Sequence, residues 1–214
     1  MSIENININI NEQKIGKDSV VLGHAEASAA HAVAIGASPR NSKAISEAAI
    51  AIGQNQLAGK PGDANIVWPI AIGADSVSNG LASIALGQKV TASASQAIAI
   101  GQNSSATEKG SVALGADSIA NKPNVISVGK SGHERKIVHV AAGDISNHST
   151  EAVNGHQLYS ELAKTNVLLD EKNKQLENKI ETLESNIANL NLLNKNNTDD
   201  IALLKQRLFD ALNY

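Results

Sequence analysis

The stretch QAIAIGQNSSATEKGSVALG, residues 96–115, contains nearly the same tetrapeptide twice. Ile98-Ala99-Ile100-Gly101 returns as Val112-Ala113-Leu114-Gly115, fourteen residues later. Working outward from here, units of the form apolar–x–apolar–Gly end at eight glycines: Gly23, Gly36, Gly53, Gly73, Gly87, Gly101, Gly115 and Gly129. The last five are fourteen residues apart, and the earlier gaps are 13, 17 and 20. Such a period predicts a protein whose repeats pack on their neighbours.

A repeat of fourteen residues suits one coil of a parallel β-solenoid, with two short strands and two turns. Stacked coils would lie about 4.8 Å apart, and the closing glycine would supply a turn. The irregular gaps then indicate insertions in turns. Within each unit the two large residues share one face and the alanine occupies the other. We expect Ile, Leu and Val to fill the interior of each coil, and Ala to face another copy of the chain.

Composition excludes several classes of function. Aromatic residues make up 2% of the 214 residues, which argues against an ordinary globular core. The net charge of −3 makes nucleic acid and anionic membranes unexpected partners, and without cysteine there is no disulfide framework. Six scattered histidines lack metal-ligand spacing. An acyltransferase of the hexapeptide-repeat class is disfavoured because six does not divide fourteen. We expect no catalytic site, no metal and no organic cofactor.

The N-terminal segment reads as a strand rather than a targeting signal. Ile6, Ile8 and Ile10 alternate with asparagines, which is typical of a two-faced strand. The segment has neither the basic start nor the continuous apolar run of a secretion signal. No stretch approaches the roughly 20 apolar residues of a membrane-spanning helix.

From Leu158 the pattern changes to heptads. Leucines dominate the d positions from Leu162 to Leu204, and the a positions between them hold isoleucines and asparagines. The charge pairs Lys172–Glu177 and Lys179–Glu184 favour parallel, in-register chains. Taken alone, Ile at a with Leu at d favours two strands. Asn194 and Asn197 form two successive polar layers, which either surround a central anion or water, or set the register.

The segment between repeats and heptads resembles the neck of trimeric autotransporter adhesins of the YadA type. The resemblance is carried by Ile126-Ser127-Val128-Gly129, Arg135-Lys136-Ile137-Val138-His139-Val140-Ala141-Ala142-Gly143, Glu151-Ala152-Val153-Asn154 and Gln157-Leu158. The repeats of residues 20–129 are similar to the left-handed parallel β-roll head of that family. Arg135, His139, Gly143 and Asn154 would then have structural roles in the neck.

The resemblance implies a homotrimer with a β-roll head (1–125), a neck (126–157) and a parallel three-stranded coiled-coil stalk (158–214). This implication takes precedence over the two-stranded coiled coil that the heptads favour on their own. It also implies a chloride ion held by Asn197 in the stalk, although Asn194 stands where the family has Ile or Val. The family's collagen-binding heads carry an Asn-Ser pair before the strand, which this chain lacks.

The expected function is that of a surface-exposed adhesin passenger. It would attach a Gram-negative bacterium to a host matrix or cell-surface protein, or to itself, with the outer-membrane anchor lying outside this chain. The alternatives are a structural spacer and a trimeric fibre without its own ligand site. The candidate partner-contacting loop contains Asn55, Lys60, Asp63 and Trp68. Trp68 either covers the apolar edge of the adjacent coil or contacts a ligand.

Overall fold

The computed structural model describes residues 15–37 and 41–213. The strand predicted from Ile6 to Ile10 lies outside these ranges. The chain divides into two compact units, with the division between Lys136 and Ile137. In the described ranges, none of the helical structure combines the length and apolarity needed to cross a membrane.

The first unit is a parallel β-solenoid with two sheets. The eight-stranded sheet contains β1 (Val20–Gly23), β3 (Val33–Gly36), β5 (Ile50–Gln54), β7 (Ile70–Ala74), β9 (Ile84–Leu86), β11 (Ile98–Ile100), β13 (Val112–Leu114) and β15 (Ile126–Ser127). The seven-stranded sheet contains β2 (Ala25–Ala27), β4 (Ser42–Ala44), β6 (Leu57–Ala58), β8 (Val77–Ser78), β10 (Thr91–Ala92), β12 (Ser105–Ala106) and β14 (Ile119–Ala120). Odd-numbered strands pair only with odd-numbered ones, so the chain passes from one sheet to the other twice in every coil.

The strand register confirms a coil of fourteen residues built from two halves of seven. Ile84, Ile98 and Val112 are register partners in one sheet, and Thr91 and Ser105 are partners in the other. Where the structure describes them, the departures from this spacing fall between strands, as predicted. The gap of 20 between Gly53 and Gly73 arises between β6 and β7. Ile70 follows Leu57 by thirteen positions there, whereas the corresponding step in a regular coil is seven.

Residues with positive φ form a column along the turn that precedes each strand of the eight-stranded sheet. The φ angle is 58° at His31, 51° at Ala48, 59° at Trp68, 50° at Ala82 and 59° at Gln96. Each of their amides donates a hydrogen bond of 2.7–3.0 Å to a carbonyl one coil earlier. Thus the turns of successive coils are stacked and joined by hydrogen bonds, and the insertion before Trp68 does not interrupt this stack.

The expectation about the coil interior was wrong. Ala51, Ala71, Ala85 and Ala99 are fully buried inside the coils, whereas the flanking aliphatic residues point outward. Among the described residues, the buried apolar side chains are alanines apart from Val90 and Pro69. The two sheets of such a short coil lie close together and leave room mainly for small side chains, because interiors are close-packed and overpacking is costly.

Serines share the interior with the alanines because a serine hydroxyl can bond a nearby backbone carbonyl. The Ser104 hydroxyl donates to the Gly101 carbonyl at 2.7 Å, and that of Ser118 donates to the Leu114 carbonyl at 2.8 Å. The Ser76 hydroxyl, at the equivalent position of another coil, is buried without a hydrogen-bond partner.

The second unit contains a single helix, α1 (Gly155–Leu212), of 58 residues. It begins three residues before the predicted stalk boundary because Asn154 and Gln157 form a capping box at its N-terminus. No described residue of α1 is buried, and its heptad leucines are more than half exposed, including Leu162, Leu169, Leu176, Leu183 and Leu190. The division into head, neck and stalk at residues 126 and 158 stays a prediction.

Candidate binding surfaces

The insertion between β6 and β7 forms the most irregular described turn of the solenoid. The Lys60 ammonium lies 3.5 Å from a carboxylate oxygen of Asp63. The other Asp63 oxygen accepts hydrogen bonds from the backbone and side-chain amides of Asn65, at 3.2 and 3.3 Å. The backbone amide of Asn65, aided by Lys60, holds the pKa of Asp63 below its ordinary value. The structure therefore brings Lys60 and Asp63 together as an ion pair.

A groove of about 450 Å³ lies beside this pair. Its apolar lining comes from Ala29, Ile45 and Ile66, and Lys60 and Asp63 also line it. Ser46 lines it as well, with 5% of its surface exposed. Neither Ile45 nor Ser46 was a candidate in the sequence, because they belong to the coil before the insertion and come into place only through stacking.

Asn55 lies in the other turn of the coil, between β5 and β6. Its side-chain amide donates to the Asp75 carboxylate at 2.7 Å, one coil further on. A similar pair, Asn103 and Asp117, lies 3.3 Å apart along the same turn. The structure therefore does not bring Asn55 together with Lys60 and Asp63.

Trp68 is 59% exposed, so more than half of its surface remains open to solvent. Its backbone amide donates to the Glu47 carbonyl at 3.0 Å, which holds it in the column of positive-φ residues. Ala48 and Ala82 occupy the neighbouring places in that column. The indole therefore projects from a backbone that is held in place on both sides.

The outward face of the eight-stranded sheet carries two columns of aliphatic side chains. One contains Val20, Val33, Ile50, Ile70, Ile84, Ile98, Val112 and Ile126, and the other contains Leu22, Ile35, Ile52, Ile72, Leu86, Ile100 and Leu114. We call these two columns the aliphatic face. Leu86 is 41% exposed, Leu114 46% and Ile126 73%. A contiguous apolar surface of this kind marks an interaction site.

Arg135 caps the C-terminal end of the solenoid. Its guanidinium donates to the carbonyls of Ala116 and Val128, both at 2.7 Å, and to the Ser118 hydroxyl at 3.1 Å. In earlier coils the equivalent carbonyls, such as Gln102 and Ile100, accept backbone amides of the next coil. Arg135 thus replaces the hydrogen bonds that a further coil would make.

The other three predicted neck residues lie in the second unit. Asn154 caps α1 and also donates to the Val140 carbonyl at 3.1 Å. Gly143 is held by Gln157, whose side chain accepts from its amide at 2.9 Å and donates to its carbonyl. His139 has a φ of 59°. Gln157 was not among the candidate residues, although its spacing of three from Asn154 is the capping-box signal.

Asn197 is exposed on α1, and the neighbouring Thr198 hydroxyl donates to the Asn194 carbonyl at 2.8 Å. The chloride ion at Asn197 stays a prediction. Among residues 15–37 and 41–213, no three metal-ligating side chains cluster; the expectation that the protein needs no metal also stays a prediction.

The fold defines the class of the first unit as a parallel β-solenoid with fourteen-residue coils. Residues 70–89 and 92–130 match the family model of the YadA head domain repeat, in two copies. The resemblance to YadA-type trimeric autotransporter adhesins is therefore confirmed in this part of the solenoid.

One solved structure similar to the chain is the C-terminal YadA-like domain of a Burkholderia pseudomallei protein. The two are 29% identical over 48% of this chain, with a TM-score of 0.30, and the chain spans 49% of that structure. No curated protein matches the chain at a significant level.

Proposed function

We propose that the chain is part of a homotrimeric surface adhesin that attaches a Gram-negative bacterium to host matrix or cells, or to another bacterium. The observation that supports this most is the pair of YadA head domain repeats at residues 70–89 and 92–130. The role is binding rather than catalysis, at the surface of the bacterium.

The homotrimer is supported by two apolar surfaces that a single chain leaves exposed. One is the aliphatic face, whose columns contain no charged residue. The other is the heptad seam of α1, because a long helix with no buried side chain gains its stability from packing on partners. Packing the two surfaces on equivalent surfaces of other copies removes both from water.

The ligand contact is assigned to the groove beside Lys60 and Asp63. Its apolar lining and charged rim are typical of ligand sites, which combine apolar walls with a few placed polar groups. Three identical sites in one trimer bind a repetitive surface with an avidity well above the affinity of one site. A matrix protein that displays many copies of one motif meets this requirement.

The alternative is a spacer that only holds other segments at a distance. The regular turns favour this reading, because Asn103 and Asp117 bond each other, as do Gln88 and Gln102, which leaves few polar groups for a ligand. The insertion is the feature that distinguishes an adhesin from a spacer.

Binding to immobilised collagen, fibronectin and laminin, and to bacteria coated with the same chain, tests the proposal at micromolar concentration. The key variant deletes residues 60–65, which shortens the insertion to the seven-residue spacing of the other coils. Lys109→Ala serves as a matched control in a regular turn. Binding that the deletion abolishes and the control preserves supports the adhesin. Absence of binding to every surface supports the spacer.

The chloride ion belongs to the same proposal. In a parallel trimer the three Asn197 amides would meet at the seam and donate to one anion. Bromide is a suitable substitute, because its anomalous scattering would locate an ion on the axis of a crystallised trimer. Density for water alone would leave Asn194 and Asn197 as polar layers that set the register.

A further inference from the structure

Trp68 is unusual for its place in the fold. The other members of its column are polar or small, including His31, Ala48, Ala82 and Gln96. A large ring that is 59% exposed loses the favourable free energy of burial that an indole normally gains. Within the single chain, more than half of its surface is left uncovered.

Trp68 comes just before β7, two residues ahead of Ile70 in the aliphatic face. Pro69 and Ala71 are buried within the coil, whereas Trp68, Ile70 and Ile72 alternate with them as exposed or half-buried residues. The aliphatic face is therefore extended at β7 by the indole, which lies two residues before the first outward isoleucine of that strand. A partner that covers the aliphatic face would therefore also be the simplest partner for the indole of Trp68.

We propose that Trp68 packs against a second copy of this chain, as an apolar contact at the margin of the aliphatic face. This inference rests on the homotrimer proposed above and assigns to one residue a role that the repeats do not define. Because the Glu47 carbonyl holds the backbone of Trp68, the backbone is ordered before assembly and the contact needs to order only the side-chain torsions. The ring therefore contributes to assembly, while Lys60 and Asp63 remain free to contact a ligand.

The chain has one tryptophan, so tryptophan fluorescence of the intact protein, excited selectively over its two tyrosines, reports on residue 68 alone. Acrylamide quenching is measured on the oligomer purified by size exclusion, with its mass determined in parallel. The expected result is blue-shifted emission and a quenching constant severalfold below that of free N-acetyltryptophanamide. The control is Trp68→Phe combined with Glu171→Trp, which places the only indole at an outer heptad position of α1. This control should be quenched almost as readily as the free compound.

A second pair of variants tests the contact without fluorescence. Trp68→Ser is expected to lower the thermal midpoint of the oligomer and to make it more dependent on concentration. Gln96→Ser changes the same column two coils further on and should leave the midpoint unchanged.

The possible outcomes test the Trp68 contact separately from the homotrimer. An oligomer of three chains whose Trp68 is fully quenchable would overturn the contact and leave the homotrimer standing. A mass of one chain would overturn both. Protection of Trp68 only after a matrix protein is added would assign the ring to ligand binding and also overturn the contact.

Discussion

At the scale of the residue, the solenoid depends on which side of a strand each side chain faces. Both faces of the tetrapeptide Ile98-Ala99-Ile100-Gly101 are apolar, so alternation alone does not say which is inside. The structure places Ala99 inside and the isoleucines outside, because two sheets joined by such short turns leave room mainly for small side chains. The interior of the solenoid is therefore built from many small stacked side chains instead of a few large ones.

Adjacent substitutions test this orientation. Ala99→Leu should destabilise the fold by about 1–3 kcal/mol, since extra methylene groups have no space in a close-packed interior. Ile98→Ser should keep the β-structure of the coil and weaken self-association instead. Circular-dichroism melts at two protein concentrations distinguish the two effects. Loss of the fold in Ile98→Ser, with Ala99→Leu tolerated, would mean that the interior has been assigned to the wrong face.

Ser76 offers a test of hydrogen bonding in the same interior. Its hydroxyl is buried without a partner, so Ser76→Ala should be neutral or stabilising in urea unfolding. Ser104→Ala is the matched control, because the Ser104 hydroxyl bonds the Gly101 carbonyl, and we expect a loss of about 1 kcal/mol. Equal losses in both variants would show that the Ser76 hydroxyl has a partner after all.

At the scale of the element, the ends of the solenoid and of the helix have dedicated caps. Arg135 bonds carbonyls that another coil would otherwise satisfy. Arg135→Met should destabilise the last coil by about 1–3 kcal/mol, because charged donors to backbone carbonyls are removed. Hydrogen exchange of the amides in residues 112–129 measures this directly. Lys136→Met is the control and should leave exchange unchanged; faster exchange in both variants would point to a general effect of charge.

The start of α1 is fixed in a similar way. Asn154→Ala removes the side-chain acceptor for the Gln157 amide and the donor to the Val140 carbonyl. The loss expected for such a cap is about 1 kcal/mol, seen as fraying at residues 155–158 in hydrogen exchange. Asn196→Ala, within the helix, should have little effect on these amides. Unchanged protection in Asn154→Ala would show that packing rather than the cap sets the start of the helix.

The insertion before β7 is an element that can be removed. Because the hydrogen bonds of the Trp68 column continue from Glu47 to Ala82 across it, deleting residues 60–65 should leave the thermal midpoint nearly unchanged. Deleting residues 102–107 from a regular coil should abolish cooperative unfolding, since every later side chain would change its register. A similar loss in both deletions would mean that the insertion stabilises the solenoid.

At the scale of the whole molecule, period and spacing were enough to predict a solenoid with fourteen-residue coils, with insertions in its turns, followed by a long helix. The inward position of the alanines was missed because it depends on the distance between two sheets rather than on alternation along one strand. The cap by Arg135 and the groove lined by Ser46 were missed because stacking brings together residues that are distant in the sequence. The approach of Lys60 to Asp63 was predictable from their separation of three residues.

The proposed trimer forms by association of three copies through the aliphatic face and the helical seam. The most direct test is the mass of the chain in solution by light scattering. Three chains of 22.2 kDa would have a combined mass of about 67 kDa, which is the predicted result. A mass near 22.2 kDa would contradict the claim that these surfaces are covered by other copies. A mass of two chains would contradict the trimer and restore the reading that the heptads favour on their own.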